Sequence, residues 1–184
     1  MRLDWKKVWH DKGLANTADK RLLSGYEHTT MDPEYAASEI SNILQIDENS
    51  KILEVGCGVG FLAEFMNCNY HGIDFSETII NKHRKFLSSN LSVSEANCLP
   101  FEDNYFESSY SYSVFQYFPN FKYAKQAIDE MLRVSSKRVF IGDLPVRSHS
   151  EEHLLYNVSD FEDLGFTVTD GYYNSDRFNA WRAK

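Results

Sequence analysis

The ten residues 51–60, with the sequence KILEVGCGVG, restrict the possible folds of this chain more than any other stretch. Residues 51–55 form a mainly apolar run that is typical of a buried strand, and glycines follow at positions 56, 58 and 60. Glycine lets the backbone turn sharply and approach a ligand closely because it carries no Cβ. A helix that begins after such a loop presents free N–H groups at its first turn. The stretch therefore predicts a strand that leads into a ligand-binding loop.

The sequence beyond this loop alternates between strand and helix patterns. We predict strands at 51–55, 70–74, 91–95, 108–113 and 137–143, and helices at about 60–66, 76–88 and 122–134. Strands that are separated by helices form parallel sheets covered on both faces. The C-terminal part has a short helix near 159–164 and two strand-like segments, 166–173 and 177–184, which flank a turn like a hairpin. The fold class is therefore predicted to be α/β.

Two further helices are predicted before the first strand. One covers residues 3–12 and ends at Gly13, where the apolar spacing stops. The other begins after Asp32, whose side chain can cap a helix, with Pro33 in the first turn. The polar, turn-rich segment between these helices is typical of a mobile lid.

Charge and composition limit the classes of partner. The chain of 184 residues has a net charge of −8 and no dense basic tract, which disfavours a nucleic-acid partner. Its longest apolar runs are far too short to span a membrane. Asp4 and Lys6 interrupt the region where a signal peptide needs its apolar segment, so we expect a cytoplasmic protein. The three cysteines, Cys57, Cys68 and Cys98, are predicted to be reduced thiols, because they lack the spacing of a zinc or redox motif.

Two classes of ligand use a glycine loop of this kind, dinucleotides and S-adenosylmethionine. The dinucleotide fingerprint is G-x-G-x-x-G, whereas this loop reads G-x-G-x-G. Glu54 precedes the loop, where a carboxylate suits an ammonium or sulfonium group better than a pyrophosphate. Asp74 ends the next strand and can bind ribose hydroxyls, which either ligand requires. These residues favour the methyl donor over the dinucleotide.

The motifs between residues 51 and 143 resemble those of class I S-adenosylmethionine-dependent methyltransferases, in particular the small methyltransferase type 11 family. ILEVGCGVG is similar to the first motif of the family, GIDFSETII to the second, and SEANCLPFEDNYFE to the third. The resemblance implies a Rossmann-like, seven-stranded, mostly parallel sheet with helices on both faces, an antiparallel C-terminal strand and additional N-terminal helices. It also implies S-adenosylmethionine as the cofactor and S-adenosylhomocysteine as the product.

A single methyltransferase domain over residues 1–184 is expected on this basis. It would comprise an N-terminal helical lid and acceptor region at 1–45, a cofactor-binding core at 46–143, and an acceptor-side segment with the C-terminal hairpin at 144–184. The oligomeric state is left open between a monomer and a homodimer.

The resemblance also assigns cofactor-binding residues to four segments. They are Glu54, Gly56, Cys57, Gly58 and Gly60 in the loop; Asp74, Phe75 and Ser76 after the second strand; Glu95, Ala96, Asn97 and Cys98 after the third; and Ser111 and Tyr112 at the end of the fourth. Glu95 departs from the family, which usually has an aspartate there for the adenine amino group. Its longer side chain must therefore retract or bind differently.

Methyl transfer needs little catalytic machinery, because the cofactor already carries an activated leaving group and the protein mainly positions the acceptor. An oxygen acceptor can still require a general base. The candidates are Gln116 and Tyr117, at a position that faces the transferred methyl group in many relatives, and His10 in the N-terminal helix. Tyr117 has the alternative of packing under the sheet. No metal site is predicted, because the polar segment around His149 and His153 is explained as a solvated surface.

The predicted function is methyl transfer from S-adenosylmethionine to a small-molecule or glycan-precursor acceptor at oxygen. The alternatives are an N-methyltransferase acting on a small molecule and, from other classes, a dinucleotide oxidoreductase or a catalytically degenerate cofactor-binding or regulatory protein. The intact glycine loop and Asp74 argue against a degenerate protein.

Overall fold

The computed structural model describes residues 4–148, 150 and 152–184. Seven strands form one sheet in the order β3-β2-β1-β4-β5-β7-β6. The strands are β1 (Lys51–Val55), β2 (Asn69–Asp74), β3 (Asn90–Val93), β4 (Phe106–Tyr112), β5 (Ser135–Pro145), β6 (Thr167–Asp170) and β7 (Arg177–Ala183). The helices are α1 (Trp5–Leu14), α2 (Lys20–Leu23), α3 (Pro33–Leu44), α4 (Glu77–Phe86), α5 (Phe121–Val134) and α6 (Val158–Glu162).

The first five strands are parallel, and β7 runs antiparallel to both of its neighbours. This arrangement confirms the predicted fold class. The predicted C-terminal hairpin is present as β6 and β7, and the hairpin places β7 between β5 and β6. Among the described residues, no helix is both long and apolar enough to cross a membrane.

The core lies on both faces of the sheet because successive side chains of β1 point to opposite sides. Leu53 packs in the cluster that includes the buried face of α5, whereas Ile52 packs in the cluster that includes Ile40 of α3. Each fully buried aliphatic side chain of this size contributes about 1.5–3 kcal/mol. Burial on both faces explains why β1 reads as a nearly continuous apolar run.

The helix predicted at about 60–66 is only a 3₁₀ turn at Ala63–Phe65. Gly56, Gly58 and Gly60 all have positive φ, so the chain cannot enter a right-handed helix before residue 61. Few residues then remain before β2 begins at Asn69. The prediction began the helix at about residue 60, whereas Gly60 still belongs to the loop.

The N-terminal helix also differs from its prediction. It begins after Asp4, whose carboxylate accepts hydrogen bonds from the backbone nitrogens of Lys6 (3.1 Å) and Lys7 (3.3 Å). The helix continues through Gly13 instead of ending there. A Cβ at Gly13 would collide with Thr78 of α4, so this glycine permits close helix packing. Residue 3, the predicted start, lies outside the described residues.

Candidate cofactor and acceptor site

A cavity of about 460 Å³ opens at the carboxyl ends of β1, β2 and β4. Ligands of open α/β sheets bind at this edge. The glycine loop and the residues after β2 and β3 form its floor, and Trp5, Lys6 and Trp9 of α1 cover it. The predicted site residues in its lining are Glu54, Gly56, Cys57, Gly58, Asp74, Phe75, Glu95, Ala96, Tyr112 and Tyr117.

The glycine loop is shaped by two different constraints. A Cβ at Gly56 would lie 2.5 Å from Cγ2 of Val114, so the loop passes too close to Val114 for a larger residue. Gly58 faces open space, but its φ of 52° favours glycine. The Gly58 N–H donates to Oδ2 of Asp74 at 3.2 Å, which ties the loop to the end of β2. The loop therefore presents bare backbone to the cavity.

Gly60 does not line the cavity but faces the buried His83 of α4. A Cβ at Gly60 would collide with the His83 ring, and Nδ1 of this histidine lies 3.1 Å from the Gly58 carbonyl oxygen. Burial lowers the pKa of His83 to about 4, so the ring is neutral at pH 7. Since the carbonyl only accepts, Nδ1 carries the proton and donates to it. The sequence alone does not indicate a role for His83, because an isolated histidine on a helix carries no motif.

Asp74 lies at the end of β2 and is buried with the cavity on one side. Its Oδ1 accepts from the Ser76 N–H (2.9 Å) and its Oδ2 from the Gly58 N–H. Burial raises the pKa of Asp74 to about 6, against the opposing effect of these N–H donors. Each oxygen keeps a further lone pair, which suits a vicinal diol such as ribose. Ser76 does not line the cavity and instead caps α4 through the Ile79 N–H.

Glu54 borders the cavity with an exposed fraction of only 4%. The Tyr70 hydroxyl donates to its Oε2. Burial raises the pKa of Glu54 to about 8, so its carboxyl group is mostly protonated at pH 7. This charge state differs from the ionised carboxylate that is predicted beside the loop. The negative charge forms only when the pH rises or a nearby cation lowers this pKa.

Glu95 follows β3 at the cavity rim and forms a salt bridge with Lys6 of α1. The Tyr123 hydroxyl of α5 donates to its other oxygen at 2.7 Å. Partial burial raises the pKa of Glu95, but the contacts with Lys6 and Tyr123 outweigh this effect and hold it below its ordinary value. The longer side chain thus reaches both the covering helix and α5.

Asn97 and Cys98 lie outside the cavity lining, although both were predicted to contact the cofactor. The Asn97 amide donates to Gln126 of α5 at 3.2 Å, and Cys98 is exposed on the surface. The Cys98 N–H bonds back to the Glu95 carbonyl at 3.2 Å, and this turn carries residues 97 and 98 away from the cavity. Cys57, Cys68 and Cys98 are free thiols, as predicted.

The covering helix is fixed by aromatic contacts. The Trp5 ring packs against Tyr117 (centroids 4.7 Å apart) and His153 (5.0 Å), and its Nε1 donates to the Glu152 carbonyl at 3.2 Å. The side chain of His10 is exposed and does not line the cavity, whereas its carbonyl accepts from the Thr78 hydroxyl at 2.8 Å. Trp5 and Trp9, not His10, therefore present side chains to the cavity.

Ser111 and Gln116 are buried behind the cavity wall. The Ser111 hydroxyl donates to the Val55 carbonyl at 2.8 Å and so links β4 to β1. Gln116 accepts from Arg177 of β7, and its amide nitrogen lies 3.4 Å from the Ser113 hydroxyl. Tyr112 and Tyr117 flank this region and do face the cavity.

A second group of polar side chains at the cavity was not predicted. Tyr26 and Ser113 line it, and the Ser113 hydroxyl donates to Asp143 at 2.5 Å. Arg177 lies 3.4 Å from the same carboxylate oxygen. Because four distant segments supply these residues, no local sequence pattern could reveal them. Within the described ranges, no three His, Cys, Asp or Glu residues group as metal ligands would.

Comparison with known families identifies the core of the chain. Residues 53–141 match the family described as a methyltransferase domain. The central part of the chain, 89 of its 184 residues, is thus similar to that family. The match confirms the predicted class, in which S-adenosylmethionine is the methyl donor, and the residues that form the cavity floor lie almost entirely within it.

Individual proteins resemble the chain in sequence or in fold. Phosphoethanolamine N-methyltransferase from Plasmodium falciparum is 33% identical over 84 residues, a match that covers 41% of this chain and 32% of the relative. The chain therefore spans about a third of that protein. Magnesium protoporphyrin IX methyltransferase from Synechocystis, crystallised with S-adenosylmethionine, has a TM-score of 0.68 at 15% identity, with 99% of this chain and 98% of that chain covered. The PH0226 protein from Pyrococcus horikoshii has a TM-score of 0.68 at 20% identity over 92% of this chain and 93% of its own.

Proposed function

We propose that the protein transfers a methyl group from S-adenosylmethionine to a hydroxyl oxygen of a small-molecule or glycan-precursor acceptor and releases S-adenosylhomocysteine. The supporting observation is that one cavity joins two different surfaces. One surface is the bare glycine loop with Asp74, and the other is lined by the hydroxyl-bearing residues Tyr26 and Ser113. The first suits the donor and the second an acceptor that can hydrogen-bond.

The residues on the floor fit the methyl donor. Backbone at Gly56 and Gly58 would hold its methionine part, and the carboxylate of Asp74 would accept hydrogen bonds from the ribose. Phe75 and Ala96 offer apolar surface for the adenine ring beside Glu95. When bound, the donor supplies a methyl carbon activated by a sulfonium group, and the work of this chain is to orient the acceptor and exclude water.

The charges of the lining argue against an anionic acceptor. Lys6 is the sole cation among the described lining residues, and Glu95 already pairs with it. A phosphate or carboxylate at the methyl-accepting atom would therefore lack a partner. The aromatic rings of Trp9, Tyr26 and Tyr117 favour a ring-shaped or apolar body, including the apolar face of a sugar. N-terminal residues 1–45 and residues 144–158 would then complete the acceptor region.

Methyl transfer to an amine is the second candidate. It is favoured by the acidic residues in the lining, which include Asp4 and Glu152, and by aromatic rings that can contact a cation. The matched relative from Plasmodium falciparum is named as an N-methyltransferase.

A methyl-transfer screen tests this proposal and separates its two versions. The protein is incubated with S-adenosylmethionine carrying a ¹³C-labelled methyl group and with alcohols, phenols, sugars, amines and carboxylic acids in parallel. We expect S-adenosylhomocysteine to accumulate with hydroxyl compounds, and the ¹³C shift of the product to report an O-methyl group. An N-methyl product would replace the oxygen proposal with the amine alternative. Turnover confined to carboxylic acids would contradict both.

A further inference from the structure

The hydroxyl groups at the acceptor side of the cavity belong to a connected hydrogen-bond array. Ser113 follows β4, Asp143 lies in β5, and Tyr26 lies between α2 and α3. The Ser113 hydroxyl donates to Oδ2 of Asp143 at 2.5 Å, and it also contacts the Tyr26 hydroxyl. Tyr26 and Ser113 face the cavity, whereas Asp143 lies directly behind Ser113. The array therefore leads from the cavity to a carboxylate outside its lining.

The backbone at two members of this array is held in an unusual conformation. Ser113 has a φ of 59° and Asp143 a φ of 60°, values that residues other than glycine rarely adopt. The strands hold both positions, because the Ser113 N–H donates to the Gly142 carbonyl (3.1 Å) and the Asp143 N–H to Asn179 (3.0 Å). Such strain occurs preferentially at functional sites. Neither position is occupied by glycine, so each retains its polar side chain at an energetic cost.

The groups at the ends of the array determine the direction of its hydrogen bonds. A carboxylate only accepts, so Ser113 must donate its proton to Asp143. Arg177 only donates, so Gln116 accepts from it through Oε1 and directs its amide nitrogen at Ser113. The Ser113 oxygen can therefore only accept from its other neighbours, so a hydrogen bond between Ser113 and Tyr26 requires Tyr26 as the donor. The remaining lone pair of the Tyr26 oxygen is then available to accept a proton from a group in the cavity.

The groups around Asp143 leave it as the base of the array. Arg177 of β7 donates to the Asp143 carbonyl at 3.0 Å and lies 3.4 Å from its Oδ2. The other titratable groups that face it are Tyr26, Tyr112 and Tyr117, and burial raises the pKa of each, so all three are neutral. Burial also raises the pKa of Asp143, although Arg177 and Ser113 oppose this effect. The raised pKa makes the Asp143 carboxylate a stronger base than an exposed aspartate.

We propose that Tyr26, Ser113 and Asp143 form a proton relay that takes up the proton of the acceptor hydroxyl during methyl transfer. This inference rests on the proposed function. As the acceptor oxygen bonds to the methyl carbon, the carbon–sulfur bond breaks and its electron pair stays on sulfur. The acceptor proton passes to the Tyr26 oxygen, the Tyr26 proton to Ser113, and the Ser113 proton to Asp143. Asp143 ends protonated and later releases the proton to water.

A binding experiment tests the array without requiring turnover. Phenol and anisole have the same ring, but only phenol can donate to Tyr26. Their affinities are measured by NMR titration of the protein saturated with S-adenosylhomocysteine. We expect phenol to bind about tenfold more tightly than anisole, Tyr26→Phe to abolish the preference, and Tyr105→Phe at the opposite end of the sheet to retain it. Equal affinity of the two probes for the wild-type protein, or a preference that survives in Tyr26→Phe, would overturn the inference.

Kinetic measurements then test the relay itself. Ser113→Gly removes the hydroxyl and the backbone strain together, so we expect an unchanged or higher Tm with at least a tenfold loss of kcat. A purely structural serine would lose stability and activity in parallel. In the wild-type protein, kcat should fall at low pH as Asp143 becomes protonated. The midpoint of this acidic limb of the pH–rate profile should lie above the ordinary pKa of aspartate. Asp143→Asn should have a low kcat that does not fall further over this pH range.

The two sets of measurements separate the failure of the relay from the failure of the proposed function. If Ser113→Gly and Asp143→Asn both have the kcat and the pH profile of the wild-type protein, the relay is rejected, whereas the proposed methyl transfer is not affected. Absence of methyl transfer from wild-type protein to any hydroxyl acceptor would reject the proposed function and the relay as a catalytic device. A phenol preference in that case would show that the array only recognises hydroxyl groups.

Discussion

The two halves of the cavity are built in different ways. The cofactor half consists largely of backbone, with Gly56 bonded to Ile73 and Gly58 to Asp74 within one local unit of strand, loop and strand. The acceptor half consists of side chains, and Tyr26, Ser113 and Asp143 come from segments far apart in the chain. The first half depends on the absence of side chains at fixed positions. The second depends on the fold bringing side chains together.

This difference has consequences for how each half tolerates change. In the cofactor half, an added Cβ collides with Val114 at Gly56 and strains the backbone at Gly58, where φ is positive. In the acceptor half, a hydroxyl can be deleted without a collision, and the loss is chemical. Substitutions in the first half should therefore disturb folding and cofactor binding, whereas those in the second should change catalysis at nearly constant stability.

The largest effect on stability is expected for Gly60→Ala. Gly60 has a φ of 80°, and its new Cβ would collide with the buried His83 ring. Backbone strain and overpacking each cost about 1–3 kcal/mol, so we expect a loss of about 3–5 kcal/mol in urea unfolding. Gly165→Ala is the matched control, because Gly165 has a φ of 79° and only ordinary contacts. Equal losses in the two variants would mean that the contact with His83 is not a constraint.

The pH dependence of stability tests the buried carboxyl of the cofactor half. Glu54 has a pKa of about 8 in the folded protein, against an ordinary value of 4.5. The folded state therefore binds more protons between these values, and unfolding free energy falls as pH rises, by at most about 1.4 kcal/mol per pH unit. Asp74 acts in the same direction but only up to about pH 6. Urea unfolding of the cofactor-free protein at pH 6–8 should show this decline, and Glu54→Gln should flatten it.

An equally steep decline in Glu54→Gln would place its origin elsewhere in the chain. Glu34→Gln, at an exposed position of α3, is the control and should keep the wild-type slope.

The sequence reveals the cofactor half well, because its geometry is encoded in residue spacing. The glycine positions and Asp74 predict a loop joined to the end of β2, and the Gly58 hydrogen bond to Asp74 has this arrangement. The alternation of strands and helices likewise predicts the sheet. Two details cannot be predicted from residue spacing. The glycines prolong the loop to residue 61, and the protonated state of Glu54 depends on burial that no motif records.

The acceptor half can be recognised only once the fold is known. Gln116 and Tyr117 were chosen for their place after β4, and Tyr117 faces the cavity whereas Gln116 is buried behind it. Tyr26 lies in a segment that reads as a lid, and Asp143 ends the predicted strand at 137–143. Nothing in the sequence pairs them with Ser113, because their proximity results from the order of β4, β5 and β7 in the sheet.

A smaller effect, confined to binding, is expected for Asp74→Ala. Loss of charged hydrogen bonds to ribose should weaken the binding of S-adenosylhomocysteine by about 1–3 kcal/mol, measured by isothermal titration calorimetry. Asp170→Ala, at an exposed position on β6, should bind as tightly as the wild-type protein. Unchanged affinity in Asp74→Ala would show that the ribose assignment is wrong and that the cofactor half holds its ligand through the glycine loop alone.

The smallest effect is expected where the covering helix meets the cofactor half. Lys6 and Glu95 form a salt bridge in which the two side chains are 65% and 40% exposed, so solvent screens it. Lys6→Met should therefore change the unfolding free energy by less than about 1 kcal/mol, and Lys7→Met, which removes a local pair with Asp11 on the same helix, should behave alike. Aromatic packing of Trp5 then holds the helix in place. A loss above about 2 kcal/mol in Lys6→Met alone would instead make the ion pair its main attachment.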